Sequence, residues 1–343
     1  MSDPLTSLSP PVSAGDAERI VAEHYGIVAE ADRLAGERDE NFRLTTADGG
    51  SYFLKIAHAG ERPEVTNLST CALLHLAEVA PDFPVQAVIR TLRGDPELNV
   101  VLGAGHPRTA RVTSYMEGRM LHSVPSSPQL RRNLGATLAR LGQALRSFSH
   151  PGAFRELLWD IQHAHELWKL LDEIDALADR DLIAQCLQRF DSVVRPQLPH
   201  LRAQVLHNDL SVDNVLVDAS AREVVGIIDF GDMAYTPLVN DVAIAAAYQL
   251  SDGPDPFAPV IDLVVGYHEV EPLTVQELTL MYDLVRTRVT ARIVITEWRA
   301  TRFPENRAYI SRYTDRAWFE LGRLDPSSGD EVTEKLFSAC AAR

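Results

Sequence analysis

The chain has 343 residues, with 33 lysines and arginines against 48 aspartates and glutamates, for a formal net charge of −15. That length fits two or three domains of ordinary size, and an apolar share of 45% supplies sizeable cores. The acidic balance excludes phosphate-backbone binding of nucleic acid as the main task, which needs clustered Lys and Arg. It suits cationic small molecules, and equally plain solubility.

Cys71, Cys186 and Cys340 are far apart, odd in number and without a CxxC, so neither a disulfide framework nor a zinc site is signalled. The start, MSDPLTSLSPPVSAGD, lacks the basic and apolar regions of a signal peptide. No apolar run approaches the ~18 residues of a membrane span. A reducing cytoplasm is the expected compartment.

Residues 1–14 are rich in Ser and Pro and read as a flexible tail. SAGDAERIVAEHYG, 13–26, predicts a helix capped by Ser13 or Asp16. Two strand-like segments around Asp48-Gly49-Gly50 predict a β-hairpin. Residues 62–80 predict a helix with Leu68, Cys71, Leu74 and Val79 on one face. Residues 85–91, 98–102 and 109–115 alternate as strands do. The sequence EGR at 117–119 is a plausible hinge. Beyond it, Leu130, Leu134, Leu138, Leu141, Leu145 and Phe148 form a helical stripe of core residues. Residues 154–195 read as further helix, and helices dominate again from about 240. The expected fold class is α+β and bilobal: a small β-rich lobe over 15–116, then a larger, mainly helical lobe over 117–343.

The chemistry concentrates in HNDLSVDN, 207–214, and GIIDFGD, 226–232. Asp209 and Asn214 precede one apolar strand, Asp229 ends the next, and the turn DASAR at 218–222 lies between. A hairpin would bring the two places together. Phosphoryl transfer needs this set: a carboxylate, Asp209, to accept a hydroxyl proton, and an amide oxygen and a second carboxylate, Asn214 and Asp229, to hold Mg²⁺ against a triphosphate. Hard oxygen ligands without His or Cys fit Mg²⁺ rather than zinc. His207 reads as a structural hydrogen-bonding residue rather than a base.

HNDLSVDN followed by IDFGD resembles the catalytic loop and metal motif of the aminoglycoside phosphotransferase and choline kinase family, whose core is similar to that of protein kinases. The resemblance implies nucleotide bound between the lobes, with Lys55 of YFLKIAH on its α- and β-phosphates. It also implies a helix carboxylate fixing that lysine, Glu64 or alternatively Glu78. The loop GERDENFRL, 36–44, falls where protein kinases carry a Gly-rich loop. It has one Gly, so phosphate contact would rest on side chains or backbone amides of Asp39 to Phe42, Asn41 included. Asn208 stands where related kinases more often have Gly.

DENF at 39–42, SPQL, DFGDM at 229–233 and PEN narrow the resemblance to the hydroxylysine kinase branch, from about residue 15 to about 325. That implies a GTP- or ATP-dependent kinase acting on a hydroxyl of an amino alcohol or hydroxy amino acid, 5-hydroxylysine first. A phospholyase or aminotransferase-like enzyme using the product is a functional link the sequence leaves open. For an amine-bearing substrate, Asp232 and Asp241 lie near the expected cleft, Asp241 matching a position that braces the catalytic loop. Arg288, Arg292 and Arg299 share one helix face with Glu297 nearby. They either clamp a substrate carboxylate or form a solvated face, and Arg292 and Glu297 are taken with Asp232 as substrate-site candidates. Trp298 and Tyr115 are aromatic candidates for substrate or base contact, or core. Kinases for homoserine, choline, ethanolamine or an aminoglycoside remain alternatives, as does a non-catalytic nucleotide-binding module. A protein kinase is disfavoured, because VNDVAIA follows IDFGD too soon for an activation loop.

Overall fold

The computed structural model describes residues 11–36, 39–102, 107–175 and 177–341. Residues 1–10 of the expected tail, and Glu37 and Arg38 of the 36–44 loop, lie outside the described residues. The chain divides into two compact units: 1–117 with 150–153 and 226–231, and 118–149 with 154–225 and 232–343. No helix among the described residues is long and apolar enough to cross a membrane.

In the first unit, α1 (Ala14–Tyr25) starts at Ser13, whose hydroxyl accepts the Asp16 N–H, and ends at Gly26 with φ +68°, the usual left-handed stop. Val12 is buried in the core, so residues 11–14 are anchored rather than loose. Strands β1 (Ala29–Leu34), β2 (Glu40–Thr46) and β3 (Ser51–Ile56) precede α2 (Pro63–Val79). The stretch read as one strand before ADGG is thus two, β1 and β2. β4 (Val88–Ile89), β5 (Leu98–Val100) and β6 (Arg108–Ser114) complete an antiparallel sheet of order β1-β2-β3-β6-β4, with β5 also on β6. The buried face of α2 is Val65, Leu68, Ala72, Leu73 and Leu76. Val79 is exposed, so the expected stripe was rotated toward the wrong side.

The sheet alternates as its period of two requires. Phe42, Leu44, Leu54, Ile56, Ala110 and Val112 form the core with Ile20, Val21 and Tyr25 of α1. The opposite face carries polar residues. Lys55 is directly opposed by Asn41 on β2 and by Arg111 on β6, and opposed residues share a face.

The second unit begins with β7 (Arg119–Met120) and α3 (Pro128–Ala144), in which Leu130, Leu134, Leu138 and Leu141 are buried as expected. Residues 154–195 are broken helix: a 3₁₀ stretch at 161–166, α4 (Leu167–Asp172), α5 (Arg180–Arg189) and a π turn at 190–194. Then come β8 (Ala203–Leu206), β9 (Val215–Val217), β10 (Val224–Ile227), whose last two residues are counted with the first unit, and β11 (Ala234–Pro237). β9 lies between β10 and β7, and β8 pairs with β11. α6 (Leu238–Ala247), α7 (Ala258–His268), α8 (Val275–Arg302), α9 (Arg307–Ile310), α10 (Thr314–Gly322) and α11 (Gly329–Ala341) follow. α8 opens on a capping box between Thr274 and Glu277; the buried Glu277 also takes two hydrogen bonds from Arg202, at 3.0 and 2.7 Å.

α3 and α7 cross backbone to backbone. A Cβ at Gly135 would lie 2.0 Å from the Leu263 carbonyl oxygen, and one at Gly266 2.1 Å from that of Arg132. No side-chain movement relieves a clash with backbone. Gly135→Ala should lower unfolding free energy by about 1–3 kcal/mol, read as a fall in urea midpoint; an unchanged midpoint would show that the crossing can slide.

Candidate active site

In the first unit, Lys55 stands on β3 with its side chain only 16% exposed. Its Nζ is 3.0 Å from Asp39 Oδ2 and 3.1 Å from Asp229 Oδ1. Burial works to push the ammonium down, but Asp229 and Asp39 together hold it above its ordinary value. Asp39 Oδ1 accepts the His58 N–H at 2.8 Å, so the carboxylate that holds the lysine is itself fixed by backbone. Lys55, Asp39, Glu61, Ser69, Arg111 and Gly231 line a cleft. Glu64, expected to fix the lysine, is exposed at the start of α2, and the residue doing so is Asp39. Glu78 is exposed near the far end of the same helix. Asn41 sits beside Lys55 in register, and its Nδ2 reaches the Ala35 carbonyl at 3.5 Å.

In the second unit, the loop after β8 carries His207, Asn208, Asp209 and Asn214. His207 is fully buried and its Nδ1 accepts the Asp209 N–H at 3.3 Å, the structural role expected of it. Asn208 has φ +64°. This left-handed conformation favours Gly and is tolerated by Asn among other residues, which accounts for Asn at a position more often Gly. Its N–H donates to Asp241 Oδ1 at 2.8 Å and its Nδ2 to the Asp232 carbonyl at 3.1 Å. Its Oδ1 is buried without a hydrogen-bond partner among the described residues.

Asp209 is held at both carboxylate oxygens. Arg288 Nη2 of α8 donates to Oδ1 at 3.0 Å, and Asn214 Nδ2 donates to Oδ2 at 2.8 Å. The same Asn214 nitrogen also bonds the Asp209 carbonyl at 2.8 Å. With its nitrogen facing two acceptors, the amide orientation is fixed. Asp229, in the first unit, has a side chain 51% exposed and a left-handed φ of +59°.

Arg288 is 2% exposed. Nη1 donates to the Trp159 carbonyl at 2.6 Å, and the guanidinium lies over the Trp159 ring at 5.4 Å. Burial opposes its charge, while Tyr248 and Asp209 hold it above its ordinary value. Of the three arginines that share this helix face, Arg288 is the one bonded to Asp209. Arg292 instead pairs with buried Glu320 at 3.1 Å and lies 4.6 Å over the Tyr248 ring. Glu297 pairs with Arg307 at 3.4 Å. The reading of Arg288, Arg292 and Arg299 as a solvated face is corrected: all three are buried, because other elements encase α8. Trp298 donates to Glu173 at 2.7 Å, and Tyr115 lies under Arg43 at 4.4 Å.

A strand lysine between two carboxylates, and an acid–amide loop braced from a helix, belong to a kinase-like α+β fold. The sequence model of the phosphotransferase enzyme family matches residues 31–274, and the chain belongs to that family. It is a small-molecule kinase, a phosphotransferase with an alcohol group as acceptor. It is similar to hydroxylysine kinase of Mus musculus, 29% identical over 96% of this chain and 94% of the relative. It is also similar to that of Bos taurus, 27% identical over 96% and 93%. Among solved structures, amicoumacin kinase hAmiN in complex with AMP-PNP, Ca²⁺ and Ami has a TM-score of 0.65 at 19% identity, over 89% of this chain and 88% of that one. A microcompartment-associated aminopropanol kinase has a TM-score of 0.61 at 17% identity, over 96% of each chain.

Two measurements test the loop. Asn208→Ala and Asn208→Gly both lose the bond to the Asp232 carbonyl, but Ala should cost about 1–2 kcal/mol more through its left-handed backbone; equal losses in denaturant titrations would remove the backbone explanation. Asp241 is pushed up to about 6 from 3.8, first by burial; His207 and the Asn208 N–H pull it back, and Asp209 and Asp160 add to the rise. The folded chain thus holds this proton more tightly than the unfolded one. The resulting stability is complete below the unfolded value of 3.8 and is lost as pH rises through the folded value. Asp241→Asn keeps an oxygen for the Asn208 N–H and cannot ionise. Relative to the parent it should gain about 3 kcal/mol between about pH 4 and pH 7; parallel stability profiles would show that Asp241 ionises as an ordinary carboxylate.

Proposed function

We propose that this chain transfers the γ-phosphate of GTP or ATP to the side-chain hydroxyl of 5-hydroxylysine. The observation that carries the reading is an Asp209 carboxylate held at both oxygens, in a chain similar to hydroxylysine kinases along 96% of its length. Asp209 takes the proton of the acceptor hydroxyl as that oxygen attacks the γ-phosphorus. Arg288 and Asn214 orient its two oxygens. Lys55 binds phosphate oxygens, with Asp39 holding the ammonium in place. Asn214 in the second unit and Asp229 in the first each carry an oxygen of the kind Mg²⁺ takes and would hold it, and the ion would supply neutralisation of charge on the triphosphate. Asp232, whose carbonyl anchors Asn208, is proposed to face the amine of the acceptor. Transfer of this kind rests on positioning and charge neutralisation rather than on a covalent intermediate.

Asp209→Asn and Asp229→Ala should each lower turnover by at least about 100-fold while thermal melting stays that of a folded protein; near-normal activity in either would sink the mechanism. Nucleoside diphosphate release, measured across hydroxylysine, homoserine, choline, ethanolamine and an aminoglycoside with each nucleotide, tests the acceptor. Hydroxylysine should give the highest kcat/KM. A higher value with any other acceptor would overturn that assignment and leave the kinase in place.

A further inference from the structure

Lys55 is not the only cation on its face of the sheet. Arg111 is directly opposed to it across β3 and β6, is 7% exposed, and lines the same cleft. Two like charges side by side out of water repel strongly unless something offsets them. Lys55 has two carboxylates within ion-pair distance. Among the described residues, Arg111 has no carboxylate at that distance. Its Nη1 donates instead to a neutral hydroxyl, Thr70 Oγ1 of α2, at 2.7 Å. Thr70 donates in turn to Glu97, whose other oxygen accepts from Asn67 at 3.0 Å. The counter-charge thus acts at one remove. Burial pushes the Arg111 guanidinium down, against the pull of Glu97, Asp229 and Asp39.

A residue needed only to tie α2 to the sheet would not have to carry charge. A neutral donor could bond Thr70 without setting a second cation beside Lys55. The arrangement makes sense if an anion completes it. An ammonium acts on phosphate as a point charge, whereas the guanidinium fork fits its oxygens geometrically. We propose that Arg111 is a second phosphate-binding cation, acting beside Lys55 on the phosphate chain of the nucleotide and positioned for it by Thr70 and Glu97. This rests on the kinase reading above and adds to it a residue that the lysine motif does not require.

The test is equilibrium binding to the full chain without acceptor, using nucleoside, monophosphate and triphosphate of adenosine and guanosine. Arg111→Met should weaken triphosphate binding by about tenfold or more, leave the nucleoside within about twofold, and leave the melting transition cooperative. Arg111→Gln, which keeps a donor for Thr70 without the charge, should show the same loss and serves if the Met variant does not fold. Arg111→Lys should recover part of it. Unchanged triphosphate binding in Met or Gln, or an equal loss for nucleoside and triphosphate, would overturn the inference. Failure of the parent protein to bind any triphosphate would instead overturn the kinase reading beneath it.

Discussion

The His207–Asn214 loop depends on a hydrogen bond from its own backbone to a buried carboxylate. Asp241 is 2% exposed and accepts the Asn208 N–H. Burying an acid there is costly, and the cost shows in its raised proton affinity. In return the chain is fixed where it turns left-handed, a conformation that a bulkier side chain would resist. The Asn208 side chain then bonds the Asp232 carbonyl, so one residue ties the loop to two later stretches of chain. Asp209, the next residue, emerges with its direction set. Arg288 and Asn214 finish the task by holding its two oxygens apart.

The first unit solves a different problem, how to keep a strand lysine charged with little water around it. Protein-kinase-type sites use a carboxylate from the neighbouring helix. Here that helix offers Thr66, Ser69 and Thr70 toward the cleft or its second cation, and its leading glutamate is exposed. The carboxylate comes from Asp39, just before β2, so the lysine is held from the start of the strand next to its own. Asp39 is in turn held by the His58 N–H, two residues after β3 ends. The pairing therefore depends on strand register rather than on where α2 sits.

The sequence made the local parts legible because they are governed by local rules. Ser13 caps α1, Asp48-Gly49-Gly50 turns the β2–β3 hairpin, and the leucines of α3 face a core, each read from spacing alone. Asp209 and Asn214 were singled out by their spacing, but the contact between their side chains is seen only in the structure. What failed depends on tertiary surroundings. Helical period gives a face but not what covers it, so spacing left the arginines of α8 open between a substrate clamp and a solvated face, and the structure shows them encased. Residues 154–195 contain enough leucines to read as helix, yet among the described residues they form a 3₁₀ stretch, two short helices and a π turn. Arg111 was invisible because alternation on β6 marks it only as pointing away from the core. Its importance comes from register with Lys55, which only strand pairing reveals.

The arginines of α8 show how little net charge says about a site. The chain carries an excess of 15 negative charges, yet four guanidiniums are buried along one helix, and each has its own local environment. Arg286 meets Cys186 Sγ at 3.2 Å, Arg292 meets Glu320, and burial pushes Arg299 down. Arg288 alone among them meets the loop acid. On the proposed reading, the acid must both face the attacking hydroxyl and take its proton, and in a loose transition state that transfer falls late. Arg288 and Asn214 hold one carboxylate oxygen each, so the acceptor is already in place when the proton comes off.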